Sequence, residues 1–132
     1  MSHAQQRVLD AYFDALNGER YDAVAALFAH DGVLVAPGLP PRRGRDEIAT
    51  YFARALRPYP KHVDDPTRVI HAERVATVEI TFTGAMADGT QITFDAVDVF
   101  DFDAGYRVSR LSSWYDSYLV RQRLATARRA DA

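Results

Sequence analysis

Phe94-Asp95-Ala96-Val97-Asp98-Val99-Phe100 is the stretch on which the reading of this chain turns. It is rich in aromatic and β-branched residues, so it reads as a strand, and strand side chains alternate between two faces. Asp98 therefore shares a face with Ala96 and Phe100, and with Phe102 beyond them. If that face is enclosed, Asp98 is taken out of water, and lost hydration raises the pKa of a carboxyl group. A neutral acid in a dry pocket can give a hydrogen bond or a proton to a substrate oxygen. The competing reading is structural: a strand-edge Asp near a turn, or one facing an arginine.

Outward from that strand, the pattern divides into a helical half and a β half. Val8, Leu9, Tyr12, Phe13 and Leu16 recur at helical spacing and predict a helix over Ala4 to Asn17, stopped at Asn17-Gly18. Tyr21, Val24, Ala25, Leu27 and Phe28 predict a shorter helix ending near His30-Asp31-Gly32, followed by a short strand from Val33 to Ala36. The proline- and glycine-rich run from Pro37 to Gly44 reads as a loop. Asp46 opens a third helix carrying Ile48, Tyr51, Phe52, Ala55 and Leu56, ended by Pro58 and Pro60. Beyond Asp65-Pro66, four strands are expected, about Thr67 to Ala72, Arg74 to Thr83, Thr90 to Phe102 and Arg107 to Tyr115, with hairpin turns at Asp88-Gly89 and Ala104-Gly105. Tyr118 to Ala127 is expected to form a closing helix or a frayed tail, with about 128–132 a disordered tail.

Three helices followed by a long-stranded antiparallel sheet imply an α+β fold in which the helices cover one face of a curved sheet and leave a cone. Val97 and Val99 make the other face apolar as well, so a homodimer through the outer sheet face is expected. A length of 132 residues suits one domain, and 48% hydrophobic with 26% charged residues suits a compact globular one. A net charge of -2, with arginines scattered among acids, argues against nucleic acid as a partner. The chain has no Cys, which excludes disulfides, thiol nucleophiles and thiolate metal sites. No apolar run is long enough to cross a bilayer, so no membrane association and a cytoplasmic location are expected. No His or carboxylate spacing matches a metal motif, and no metal or cofactor is expected.

Four segments in order carry a resemblance: Tyr12-Phe13-Asp14-Ala15-Leu16, Leu27-Phe28-Ala29-His30-Asp31-Gly32, Gly44-Arg45-Asp46-Glu47-Ile48-Ala49-Thr50-Tyr51-Phe52, and Val97-Asp98-Val99-Phe100-Asp101-Phe102 running on to Ser113-Trp114-Tyr115. Together they resemble the ketosteroid isomerase and SnoaL-like polyketide cyclase branch of the nuclear transport factor 2 superfamily. The resemblance implies a cone-shaped fold, usually dimeric, with a pocket closed by the helices. It also implies that Tyr12 and Asp98 together hold a developing oxyanion, Asp98 acting as a neutral carboxylic acid in an apolar site. The general base of the isomerases falls at Ala36-Pro37, so the base is missing. On the third helix the family's tyrosine position falls at Phe52, with Tyr51 one step away.

Among substitute bases, His30, His62, His71, Asp64, Asp65, Glu79 and Asp95, none stands out from sequence. Asp64 and Asp65 are expected near a rim, Glu79 and Asp95 facing away from the pocket, and His71 in a structural role. Ser113 lacks partners for a nucleophilic triad. Phe13, Phe28, Ala36, Tyr51, Phe52, Phe82, Phe100, Leu111, Ser113 and Tyr115 are expected to shape the cavity, with Trp114 outside. The expected function is a cofactor-independent isomerase or cyclase acting on a small hydrophobic carbonyl compound of the polyketide, secondary-metabolite or steroid type. An epoxide-opening enzyme on the same fold and a module that binds a hydrophobic ligand or dimerises without turnover are the alternatives. A second ionisable group facing Asp98 across the cone would separate the enzyme from the binding module.

Overall fold

A computed structural model of the chain describes residues 3–131, with side chains described through 126. The elements, in chain order, are α1 (His3–Asn17), α2 (Tyr21–Ala26), β1 (Phe28–Val35), β2 (Arg42–Arg43), α3 (Arg45–Ala55), β3 (Lys61–His71), β4 (Val75–Ala85), β5 (Gln91–Phe102), β6 (Val108–Tyr115) and α4 (Ser117–Asp131). The strands form one curved sheet in the order β2-β1-β6-β5-β4-β3. β3 to β6 are an antiparallel meander, β1 joins β6 in parallel, and β2 lies antiparallel on β1. The α+β architecture expected from the sequence is the observed one. No helix among the described residues is long and apolar enough to cross a membrane.

Three boundaries differ from expectation, each for a physical reason. The chain leaves α2 at Ala26 and is already in strand at Phe28, because Phe28 and Ala29 are buried against the sheet rather than continuing a helix face. The loop after β1 contains β2, whose Arg42 and Arg43 pair with Leu34 and Val33. β3 begins at Lys61, six residues before the expected start, and runs through Asp65-Pro66. It is an edge strand with an irregularity between Pro66 and Arg68, where a residue lacking an N–H is tolerated. The side chains of the expected tail, 128–132, lie outside the described residues; the α4 backbone runs to Asp131. Asp116 caps that helix, its carboxylate accepting from Leu119 N–H at 3.0 Å.

The helices pack on the concave face. Leu9, Tyr12, Phe13 and Leu16 of α1 and Ile48 and Phe52 of α3 meet Val78, Phe100 and Leu111 of the sheet in one buried cluster. Burying a side chain of this size contributes about 1.5–3 kcal/mol. Arg45 fixes the start of α3 by donating twice to Phe28 O, at 3.0 and 2.8 Å. Gly44 before it has φ 85°, a conformation that costs a side-chain-bearing residue far more than glycine. His71 is held between Gln5 and Gln6 of α1 at 2.8 and 2.9 Å, a structural clasp between helix and edge strand.

A second cluster, Tyr59, Phe82 and Ile92, fills the other end of the sheet. It forces a glycine at position 84, since a Cβ there would lie 2.6 Å from Tyr59 Cδ1 and 2.9 Å from Phe82 Cε1. Gly84→Ala is expected to destabilise by about 1–3 kcal/mol through overpacking, measured by urea unfolding. Gly105→Ala, where the nearest atom is 3.6 Å away, serves as the control and is expected to change little.

Candidate active site

The inner parity of β5 places Phe94, Ala96, Asp98, Phe100 and Phe102 toward the helices, as alternation requires. Asp98 is 6% exposed, and its cross-strand neighbours are Val78 on β4 and Ser113 on β6. Its Oδ1 is buried without a hydrogen-bond partner. Burial pushes the Asp98 carboxyl up to about 7; the Ser113 hydroxyl favours the ionised form, and the nearby Asp64 charge opposes it. Tyr12 is 1% exposed on α1, and burial first, then the Asp98 charge, holds its phenol protonated far above its ordinary range. Both line a cavity of about 690 Å³, in the size range of small-molecule sites.

Asp64 lines the same cavity. Because β3 starts early, Asp64 is on its inward parity, opposite Phe82, rather than in a rim loop. Its Oδ2 is buried and unpartnered, and burial pushes this carboxyl up to about 6. Asn17, at the end of α1, clamps the Asp64 backbone from both sides: Asp64 N–H donates to Asn17 Oδ1 at 2.8 Å, and Asn17 Nδ2 donates to Asp64 O at 3.0 Å. One helix thus carries Tyr12 and fixes Asp64. His62, two residues earlier, is 8% exposed and has Nδ1 4.0 Å from Asp64 Oδ2. Burial lowers its pKa despite the opposing pull of Glu19, so a neutral ring backs Asp64 near neutrality.

Cavity-facing positions Tyr51, Phe52, Phe82, Leu111, Ser113 and Tyr115 are on the wall. Four expected positions are not. Phe13, Phe28 and Phe100 are solid core: Phe100 lies 5.0 Å from the Tyr12 ring and Phe13 lies 4.9 Å from it, behind the phenol. Ala36 is buried, and its neighbours Leu34 and Pro37 face the cavity instead. For the three phenylalanines the reason is shared: helices and sheet pack directly against each other around them, and the void extends toward Phe94 and Tyr59. Glu79 and Asp95 point outward, Glu79 to Arg68 and Asp95 to Thr81 at 3.0 Å.

Sequence reasoning left Tyr59, Phe94 and α4 out of the site. Phe94 was recoverable, since it has the parity of Asp98; Tyr59, isolated between Pro58 and Pro60, carried no periodic signal. Val120, Arg121 and Leu124 of α4 also line the cavity, making α4 part of its wall. Tyr51 and Tyr115 lie within hydrogen-bond reach of each other, and burial pushes Tyr51 up and beyond the ordinary phenol range. Among the described residues no group of three or more His, Asp or Glu side chains could hold a metal ion.

A curved six-stranded sheet covered by helices, with a phenol and two carboxyl groups on the wall of its cavity, defines a cone fold of the α+β class. The chain belongs to the SnoaL-like domain family, whose model matches residues 9–111. Among solved structures it is similar to a protein provisionally assigned as a SnoaL-like polyketide cyclase from Jannaschia sp. CCS1, with 15% identity, 89% of this chain and 88% of that one covered, and a TM-score of 0.80. It is also similar to SalBIII, an epoxide hydrolase/cyclase-like enzyme in pyran ring formation in the polyether salinomycin, with 17% identity, coverage of 86% and 92%, and a TM-score of 0.76. A ketosteroid isomerase-like fold from Catenulispora acidiphila DSM 44928, in complex with trimethylamine, has 20% identity, coverage of 83% and 85%, and a TM-score of 0.76. These likenesses establish the fold. Comparison with curated proteins returns no match.

Proposed function

We propose that this protein is a cofactor-independent isomerase or cyclase acting on a medium-sized, largely apolar carbonyl compound. The observation that carries the reading is the pair Asp64 and Asp98: a partly buried and a fully buried carboxyl group on one cavity with the Tyr12 phenol, each with a buried oxygen that accepts no hydrogen bond from a described residue. Burial moves the two acids to about 6 and about 7, so near neutrality Asp64 is mostly ionised while Asp98 retains much of its proton. That is the division of labour acid–base catalysis requires.

In this reading, the Asp64 carboxylate takes a proton from the carbon next to the substrate carbonyl. The Tyr12 and Asp98 hydroxyls donate to the oxygen that gains charge. Asp64 then returns the proton to another carbon in an isomerisation. In a cyclisation the enolate carbon attacks a second carbonyl, whose oxygen is protonated by Asp98. Asp64 thus fills the role for which Ala36 has no side chain. The test is product analysis by NMR on a panel of cyclic enones and poly-ketone intermediates, with Asp98→Asn as the paired control. Turnover that depends on Asp98 supports an enzyme; tight binding without turnover of any panel member supports a binding module.

The same pair favours a second reading, opening of an epoxide by an internal hydroxyl. Asp64 would accept the hydroxyl proton and Asp98 would protonate the epoxide oxygen, with no atom left over. The similarity to SalBIII supports including epoxy alcohols in the panel.

The outer face supports homodimerisation. Trp114 is 50% exposed there, above a shallow depression lined by Thr67, Glu79, Thr81, Asp95 and Val97. Trp114→Ser is expected to convert a two-chain particle into a one-chain particle by light scattering. An unchanged two-chain mass would place the interface elsewhere.

A further inference from the structure

We propose that Arg42 and Arg121 form an anion subsite at the mouth of the cavity, so that the substrate is an amphipathic keto acid whose carboxylate is held there while its carbonyl reaches Tyr12 and Asp98. This rests on the functional reading above and adds the substrate class to it.

The two arginines reach the cavity wall from different elements. Arg42 is on β2, the outermost strand, and Arg121 is on the second turn of α4; both line the cavity. Neither guanidinium makes an ion pair or hydrogen bond with a described residue. By contrast, Arg20 and Arg68 are paired with Asp14 and Glu79, and Arg45 and Arg123 are committed to the carbonyls of Phe28 and Thr93. The Arg42 guanidinium lies 5.8 Å from the centre of the Tyr51 ring. A cation–π contact of this kind holds the guanidinium near the ring without using its N–H groups, which stay available to a carboxylate.

Tyr51 and Tyr115 link this mouth to the interior. They lie within reach of each other, Arg42 favours ionisation of the first and Arg121 that of the second, and both feel the Asp98 charge. A molecule filling the cavity thus meets both carboxyl groups, a phenol and two unpaired guanidinium groups on its wall. Between them the wall is apolar, with Leu34, Phe94, Ala96, Leu111 and Leu124. Asp46, Glu47 and Arg54 of α3 also line the cavity; Glu47 Oε1 already accepts from the Arg43 backbone N–H at 3.2 Å. A carboxylate between Arg42 and Arg121 satisfies both cations, whereas a neutral ester satisfies neither.

The experiment is calorimetric titration at low salt with 6-acetyl-2-naphthoate and its methyl ester, two probes alike in shape and ketone but differing in charge. The wild-type protein is expected to bind the acid about tenfold more tightly than the ester. In the Arg42→Gln/Arg121→Gln double variant, checked for folding by circular dichroism, the preference is expected to fall to about threefold or less with ester affinity unchanged. If the ester binds wild type as tightly as the acid, or the preference survives in the double variant, the anion subsite is refuted while the apolar cavity reading stands. If neither probe binds, the cavity reading fails and the subsite with it.

Discussion

Asp98→Asn is expected to lower turnover by about 100- to 1,000-fold while leaving the fold intact and the protein more stable at pH 8. The kinetic loss follows from removing a preorganised proton donor aimed at a developing negative charge, a change of about 3–4 kcal/mol in the barrier. The stability gain follows from the same burial. With a folded pKa near 7 and an unfolded value of 3.8, the native state holds a proton that the unfolded state has lost between those values. Folding stability therefore falls as pH rises through that window, and above it the wild type carries the full cost of an ionised buried carboxylate. Asparagine keeps the shape without the charge. Urea unfolding at pH 4 and pH 8 is expected to show little difference between the two proteins at the lower pH and an advantage of a few kcal/mol for the variant at the higher. A variant that loses turnover and stability together at both pH values would instead make Asp98 a structural residue.

Asp64→Asn is expected to have an effect at least as large on turnover, a loss of about 10²- to 10⁴-fold with substrate affinity retained, because a base that is absent cannot be replaced by binding. The pH profile separates this role from a general disturbance of the site. With Asp64 near 6 and Asp98 near 7, kcat/KM is expected to rise as the base ionises, to peak between those values, and to fall as the acid loses its proton. Because the two groups feel each other, the limbs report apparent values of the pair. Asp64→Asn removes the acid limb. A residual acid limb in that variant would assign the base to another group.

Most of the fold was legible because it rests on periodicity. The apolar stripes of α1 and α3 and the strict alternation in β5 are one-dimensional signals of burial, and they suffice to put Tyr12 and Asp98 on inward faces. Asp64 was not legible for the converse reason. It stands in Lys61-His62-Val63-Asp64-Asp65-Pro66, where the charges and a proline read as a loop, and only the edge position of β3 allows that proline within a strand. Its pairing with Phe82, its clamp by Asn17 and its exposure to the Asp98 field are all contacts across more than fifteen residues of sequence. The four misplaced wall residues share a related cause. Inward parity for Phe100, or a helical stripe for Phe28, says that the side chain is buried, but not whether the space in front of it is filled by protein or left open for a ligand.

The central claim is that the carboxyl of Asp98 is protonated well into the neutral range inside the cavity. Carbon-13 NMR of the side-chain carboxyls, with Asp98 assigned by its disappearance in Asp98→Asn, measures this directly. The account predicts a titration midpoint near 7, against 3.8 for an unperturbed aspartate. A midpoint in the ordinary carboxylate range would contradict it and remove the acid from the proposed chemistry.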